Sequence, residues 1–141
     1  MFHSLPRIAL LLSGLFLLAQ TARAAHTTHT ITITYDATAT PQWSYAISPD
    51  NDAKNARVKR HDTILWQCGN GGWTVFFKGP TPLADGNGGM LSQVSGAAGA
   101  IAGGEVDGKV KKGEEFTYGV SVILPGASEP VVDDPRIIIE N

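Results

Sequence analysis

Two histidines stand three residues apart where a mature chain is expected to begin, His26 and His29 in the segment AHTTH. Imidazole nitrogens and a free terminal amine are good ligands for copper, so one hypothesis is a copper-binding protein or copper oxidase. The other is a frayed chain end with solvated histidines, because termini that nothing ties down are mostly disordered. We favour the frayed end and expect no metal cofactor. His26 and His29 are the weak candidates if copper binds.

The other reactive side chains lack the partners that catalysis requires. His61 precedes Asp62 in a predicted turn, where such a pair usually makes local hydrogen bonds. A catalytic base needs a nucleophile and an orienting group, and the chain has no GxSxG, HExxH or CxxC motif to supply them. Acidic pairs at positions 50 and 52, 114 and 115, and 133 and 134 lie in or beside predicted turns, and the first departs from the spacing of a calcium loop. We expect solvated acids, no catalytic residue and no enzyme.

Cys68 is the only cysteine, so no disulfide can form within the chain. Three states stay open for it: a buried and inert thiol, a disulfide to another chain, or a ligand to a soft metal. We favour burial, because free cysteine is among the most buried residue types.

The tryptophans Trp43, Trp66 and Trp73 are candidates to line a carbohydrate or peptide groove. Each lies within a strand pattern, which favours packing in the core instead. Trp73 directly follows two glycines and is the residue that we assign as a possible ligand groove.

The first 24 residues have the three-part pattern of a secretory signal peptide: Arg7, an apolar run over 8–19, and the small residues Ala22 and Ala24 before the cleavage site. The run is too short to cross a bilayer, which needs about 20 apolar residues. We expect cleavage to leave one domain, residues 25–141, that is periplasmic or secreted and has no membrane span. The net charge of −2 falls to −4 because two arginines leave with residues 1–24, so no basic face indicates nucleic acid.

Alternation of polar and apolar residues predicts a mostly β domain. The predicted strands cover residues 30–35, 43–47, 56–59, 63–66, 73–77, 109–112, 114–122 and 136–140. Frequent turns and the lack of a helical pattern indicate a sandwich or barrel. The stretch 85–104 is rich in Gly, Ala and Ser, so we predict a long loop laid over the domain.

The order of these segments resembles the cupredoxin family, the Greek-key sandwich of two sheets found in blue copper proteins. The stretch RVKRHDTILW (57–66) resembles the family's V-x-x-G-D-x-V-x-W hairpin, with His61 at the usual glycine. GWTVF (72–76) resembles the next strand, which opens with a ligand histidine. GEEFTYGV (113–120) resembles the G-x-x-Y-x-Y-x-C strand that carries the cysteine ligand. The resemblance implies an all-β, cupredoxin-like Greek-key sandwich of about seven strands.

The matching positions lack the copper ligands. Trp73 and Val120 stand where the family has histidine and cysteine, and no histidine or methionine follows Val120. A blue copper site needs two histidines and a cysteine. The resemblance therefore implies a copper-free, non-catalytic binding module whose partner, a protein or a small ligand, is unknown. A further alternative is a subunit of a surface assembly, joined through an exposed strand edge.

Overall fold

The computed structural model describes residues 25–49 and 54–140, so the predicted signal peptide and the acids at 50 and 52 lie outside the described residues. Within the described ranges the chain is all-β, with eleven strands. In chain order they are β1 Thr28–Tyr35, β2 Trp43–Ser48, β3 Asn55–Val58, β4 Thr63–Cys68, β5 Gly72–Phe77, β6 Leu83–Ala84, β7 Gln93–Gly96, β8 Ile101–Val106, β9 Glu115–Ile123, β10 Val131–Asp133 and β11 Arg136–Ile139. That part of the chain holds no helix of the length and apolarity needed to cross a membrane.

The first sheet has the strand order β2-β1-β4-β8-β6. Strand β1 is antiparallel to β2 and parallel to β4, so that Ile31 lies opposite both Ile47 and Trp66. The alternation of threonine and isoleucine in β1 places Ile31 and Ile33 in the core, because successive side chains of a strand point to opposite faces.

The second sheet has the order β3-β11-β9-β5-β7, and β10 also pairs with β9. Strand β9 is its centre, antiparallel to β5, β10 and β11. Phe116, Tyr118, Val120 and Val122 are buried while Thr117 is exposed, which confirms the predicted alternation.

The buried faces of the two sheets meet in a β-sandwich. Trp66 of the first sheet packs edge-on against Tyr118 of the second, with ring centroids 5.7 Å apart, and Phe77 lies 6.5 Å from Trp66. Burying each such ring contributes about 2–3 kcal/mol relative to leaving it in water. These aromatic contacts therefore join the two layers at the centre of the core.

The prediction of a long loop over 85–104 is wrong, because the stretch contains β7 and most of β8. Its glycines serve close packing. A Cβ on Gly103 would lie 1.8 Å from the carbonyl oxygen of Ile64, and a Cβ on Gly96 would lie 2.8 Å from the ring of Trp73. Glycine in a strand often marks such a close approach of another backbone or side chain.

The predicted strand at 109–112 is also wrong. The segment forms two successive turns, with Val110 N–H donating to Asp107 and Glu114 N–H donating to Lys111. Gly113 then has φ +83°, a conformation that ends an extended pattern. The described chain thus has eleven strands rather than about seven, and the additional ones include β6, β7, β8 and β10.

Candidate functional site

The three tryptophans lie in different environments. Trp66 and Trp73 are 0% and 2% exposed and belong to the core. The Trp73 indole Nε1 donates to the carbonyl of Ala100 at 3.2 Å, although the residue also borders a shallow depression beside β5 and β7. Trp43 is half-buried and lines a groove at the edge of the first sheet. Trp43 is therefore the tryptophan that offers an aromatic face to a ligand.

This aromatic groove, lined by Trp43, Tyr45, Lys54 and Asp133, has a volume of about 420 Å³. Small-molecule sites have volumes of about 300–1,000 Å³. Trp43 and Tyr45 are two residues apart in β2, so their side chains share one face, and their rings are 8° from parallel with centroids 6.4 Å apart. Tyr35 of β1 lies opposite Trp43 in the strand pairing, and the centroids of their rings are 4.9 Å apart. The groove is completed by Pro41, Gln42 and Ser44.

A charged pair forms the other side of the aromatic groove. The Tyr45 hydroxyl donates to Asp133 Oδ2 at 2.8 Å, and Lys54 Nζ lies 3.4 Å from the same oxygen. Burial, together with the hydrogen bond to Asp133, raises the pKa of Tyr45, so its hydroxyl stays protonated and donates. The groove thus combines a flat aromatic surface with a carboxylate and an ammonium group.

The prediction that Asp133 is a solvated turn acid is wrong. It lies in β10, and its tyrosine partner is 88 positions away in the chain. The W-x-Y spacing of β2 was visible in the sequence and indicates two rings on one face. The sequence did not show that Asp133 is the hydrogen-bond partner of Tyr45, because β2 and β10 belong to different sheets. The neighbouring acid Asp134 does lie at the surface, where it pairs with Lys78.

His29 and Asp62 form a buried polar pair. His29 Nε2 lies 2.9 Å from Asp62 Oδ2, and both residues are less than 5% exposed. The same carboxylate accepts the backbone N–H groups of Thr27 and Lys59, each at 2.9 Å. Burial acts to raise the pKa of Asp62, but the hydrogen bonds outweigh it and hold the pKa below its usual value. The prediction of a solvated, frayed end is therefore wrong for His29.

His61 occupies the third position of the turn in which Asp62 N–H donates to the Lys59 carbonyl, and its φ is +66°. Glycine is usual at such a position, and an L-residue there costs about 1–2 kcal/mol. His61 Nδ1 lies 3.0 Å from Glu105 Oε1, and its ring centroid is 5.5 Å from that of His26. The structure thus brings His26 to His61, whereas Nε2 of His29 is engaged by Asp62.

Cys68 has no exposed surface, which confirms the predicted burial, and its Sγ lies 3.1 Å from Asn70 Oδ1. Across residues 25–49 and 54–140, no group of three or more His, Cys, Asp or Glu side chains is arranged to hold a metal ion. A soft-metal site at Cys68 therefore has no support from the surrounding side chains of the described chain.

The fold defines an all-β sandwich domain, with the aromatic groove and the His61 turn as its two chemically distinctive regions. The sequence matches no known protein-family model, and no curated protein is significantly similar to it. The function is therefore argued from these two regions.

Proposed function

We propose that this chain is an exported, non-catalytic domain of cupredoxin-like fold that binds carbohydrate in the aromatic groove. The arrangement of Trp43 and Tyr45 beside the Lys54–Asp133 pair carries the proposal. A sugar ring has an apolar face of C–H groups and hydroxyls that both donate and accept hydrogen bonds. Such a ligand needs an aromatic surface with donors and acceptors at its rim, and the groove has all three.

The aromatic surface is held in place before any ligand arrives. The Trp43 ring contacts the rings of Tyr35 and Tyr45, and the hydroxyl of Tyr45 is fixed by Asp133. A side chain that is already ordered loses little conformational entropy on binding. This pre-organisation supports a binding role for the aromatic groove.

The cupredoxin-like assignment is supported by the order of the segments that carry the resemblance: 57–66 runs from the end of β3 into β4, which lie in different sheets rather than in a hairpin, 72–76 lies in β5 and 113–120 leads into β9. Strands β5 and β9 are antiparallel neighbours, with Val75 opposite Val120 and Trp73 opposite Val122. The positions where the family has histidine and cysteine, Trp73 and Val120, thus lie on adjacent strands and are both buried. Apolar side chains at both positions support a copper-free member. Export is supported by the signal-type pattern of residues 1–24.

Carbohydrate binding is tested by titrating tag-free protein with soluble cello-, chito- and xylo-oligosaccharides while recording tryptophan fluorescence and amide NMR shifts. We expect shifts centred on Trp43 and Asp133. Trp43→Ala should weaken binding by about tenfold or more, and Trp43→Phe should weaken it less because part of the aromatic face remains. Met90→Ala is the control and should bind normally, because Met90 is exposed and bridges to β6, at the opposite edge of the first sheet from β2.

The proposal is overturned if none of these sugars perturbs the groove resonances, or if Trp43→Ala binds them as tightly as the wild type does. A proline-rich peptide that binds with the same dependence on Trp43, in place of any sugar, would identify the groove as a peptide site instead.

A further inference from the structure

We propose that His26 and His61 together bind a single Zn²⁺ ion, at a site separate from the aromatic groove. The inference is independent of carbohydrate binding, because it uses other residues, in the segments that precede β1 and β4. It also pairs His26 with His61, whereas the sequence suggested a pair with His29.

The separation of the two imidazoles fits a shared tetrahedral ion. Their ring centroids are 5.5 Å apart and their planes are tilted by 57°. Zinc binds histidine nitrogen at about 2.0–2.1 Å, and a ring centre lies about 1 Å behind its nitrogen. Two imidazoles on one tetrahedral zinc therefore have centroids about 5 Å apart. A cis pair on square-planar Cu²⁺ would have its centroids about 4.5 Å apart, which is further from the observed 5.5 Å than the tetrahedral separation is.

Glu105 prepares His61 for this role. Its Oε1 lies 3.0 Å from His61 Nδ1, so Nδ1 carries the proton and Nε2 keeps its lone pair for a metal. Histidines that bind metals almost always donate their other ring N–H to a carboxylate or carbonyl in this way. Gly108 packs beside the Cε1–Nε2 edge of the ring, and its lack of a side chain keeps that edge from being covered, because a Cβ there would lie 2.7 Å from Cε1 and 2.9 Å from Nε2. Both histidines are exposed, so water can fill the remaining positions of the ion.

The backbone of His61 is a second, independent observation. An L-residue at φ +66° is unfavourable where glycine would fit without cost, and such conformations cluster at ligand sites. His61 thus combines an unfavourable backbone conformation with a solvent-exposed imidazole. This combination points to a function of the side chain rather than of the turn itself.

The test is calorimetric titration of the tag-free, metal-free exported chain with ZnCl₂, its N-terminus verified by mass. We expect one ion per chain with a micromolar Kd. His26→Ala and His61→Gly should each weaken binding by about tenfold or more, and Glu105→Gln by a smaller factor. Glu129→Gln is the control, because Glu129 is far from the two histidines. It lies in the loop that follows β9. The last residue of β9, Ile123, contacts Gly71 just after the end of β4, whereas His61 precedes the start of β4. This control should leave affinity unchanged.

His61→Gly also separates a ligand role from a structural one. Glycine relieves the left-handed backbone, so this variant should melt at or above the wild-type temperature without zinc. It should nevertheless lose the rise in Tm that saturating zinc gives the wild type. Imidazole ¹⁵N spectra of the wild type should show the zinc-dependent shift at Nε2 of His61.

Three results would overturn the proposal. The first is no zinc binding to the wild type at about 100 µM. The second is undiminished binding in both His26→Ala and His61→Gly. The third is binding of Cu²⁺ but not Zn²⁺ with the same dependence on the two histidines, which would contradict the tetrahedral geometry.

Discussion

Three hydrogen bonds converge on the carboxylate of Asp62, from Thr27, Lys59 and His29, at a position that is 3% exposed. These bonds favour the ionised form and keep the pKa of Asp62 below its usual value against the opposing effect of burial. A group whose folded pKa is lowered contributes stability above its unfolded pKa of about 3.9. That contribution is lost as the pH falls through the lower folded value.

Asp62→Asn should therefore lower the free energy of unfolding at pH 7 by about 2–3 kcal/mol, because hydrogen bonds to a charged group are lost and the amide NH₂ meets another donor. The difference from the wild type should shrink as the pH falls below about 4, where the Asp62 carboxylate takes up its proton in the unfolded chain. Urea unfolding at several pH values measures this. Glu129 is exposed, so the control variant Glu129→Gln should change neither the free energy of unfolding at pH 7 nor its dependence on pH. A gap that stays constant down to pH 2 would contradict the role of the Asp62 carboxylate.

The residue-scale interactions were predictable only where they are local. The pairing of adjacent His61 and Asp62 indicated a hydrogen-bonded turn, and the structure has one, with Asp62 also accepting from Lys59 N–H. The partner of Asp62 in the core is His29, 33 positions earlier, and no local pattern links the two. Tyr45 and Asp133 are likewise far apart in the chain. The Asp62–His29 and Tyr45–Asp133 contacts could therefore be identified only from the tertiary structure.

At the scale of elements, strand β8 depends on glycine for its approach to β4. Gly103 lies opposite Leu65, and a Cβ on it would be 1.8 Å from the Ile64 carbonyl oxygen and 2.7 Å from the carbonyl carbon. Backbone atoms in the middle of a sheet have little freedom to move. A side chain at this position therefore forces the two strands apart.

Gly103→Ala should destabilise the domain by about 3 kcal/mol or more, since it breaks the ladder between β4 and β8. Gly69→Ala is the matched control. A Cβ on Gly69 meets nothing within 4 Å and its φ is not positive, so the change should be within about 0.5 kcal/mol of neutral. Thermal unfolding of both variants compares them directly. Equal stabilities would mean that β8 does not lie against β4 at this register.

Which strands could be predicted depended on their side chains. β1 and β9 alternate large apolar and polar residues, and that pattern is a direct record of one buried face. β7 and β8 have mostly small residues, so they carry little alternation to detect. Their sheet positions arise from partners such as Trp73, whose ring covers Gly96. A composition that predicts a flexible loop in isolation is here the composition of closely packed strands.

At the scale of the whole molecule, the described histidines and the cysteine lie at opposite ends of the sandwich. His29 is in register with Ile64 at the start of β4, and His26 contacts His61, which directly precedes that strand. Cys68 is the last residue of β4 and is fully buried. The four residue steps from Ile64 to Cys68 span roughly 13 Å along the strand, whereas the ligands of one copper ion must all lie within a few ångströms of it.

Copper(II) added to the folded protein should therefore give no intense blue absorption. That colour arises from a thiolate bound together with two histidines, and here the strand β4 holds the thiol and the imidazoles apart. Copper held by His26 and His61 alone would give only weak bands. The visible spectrum of the copper-loaded protein measures this, and Cys68→Ser should leave it unchanged because the thiol is not a ligand. A strong charge-transfer band in the wild type that disappears in Cys68→Ser would require the chain to refold around the metal, and would contradict the arrangement of the sandwich.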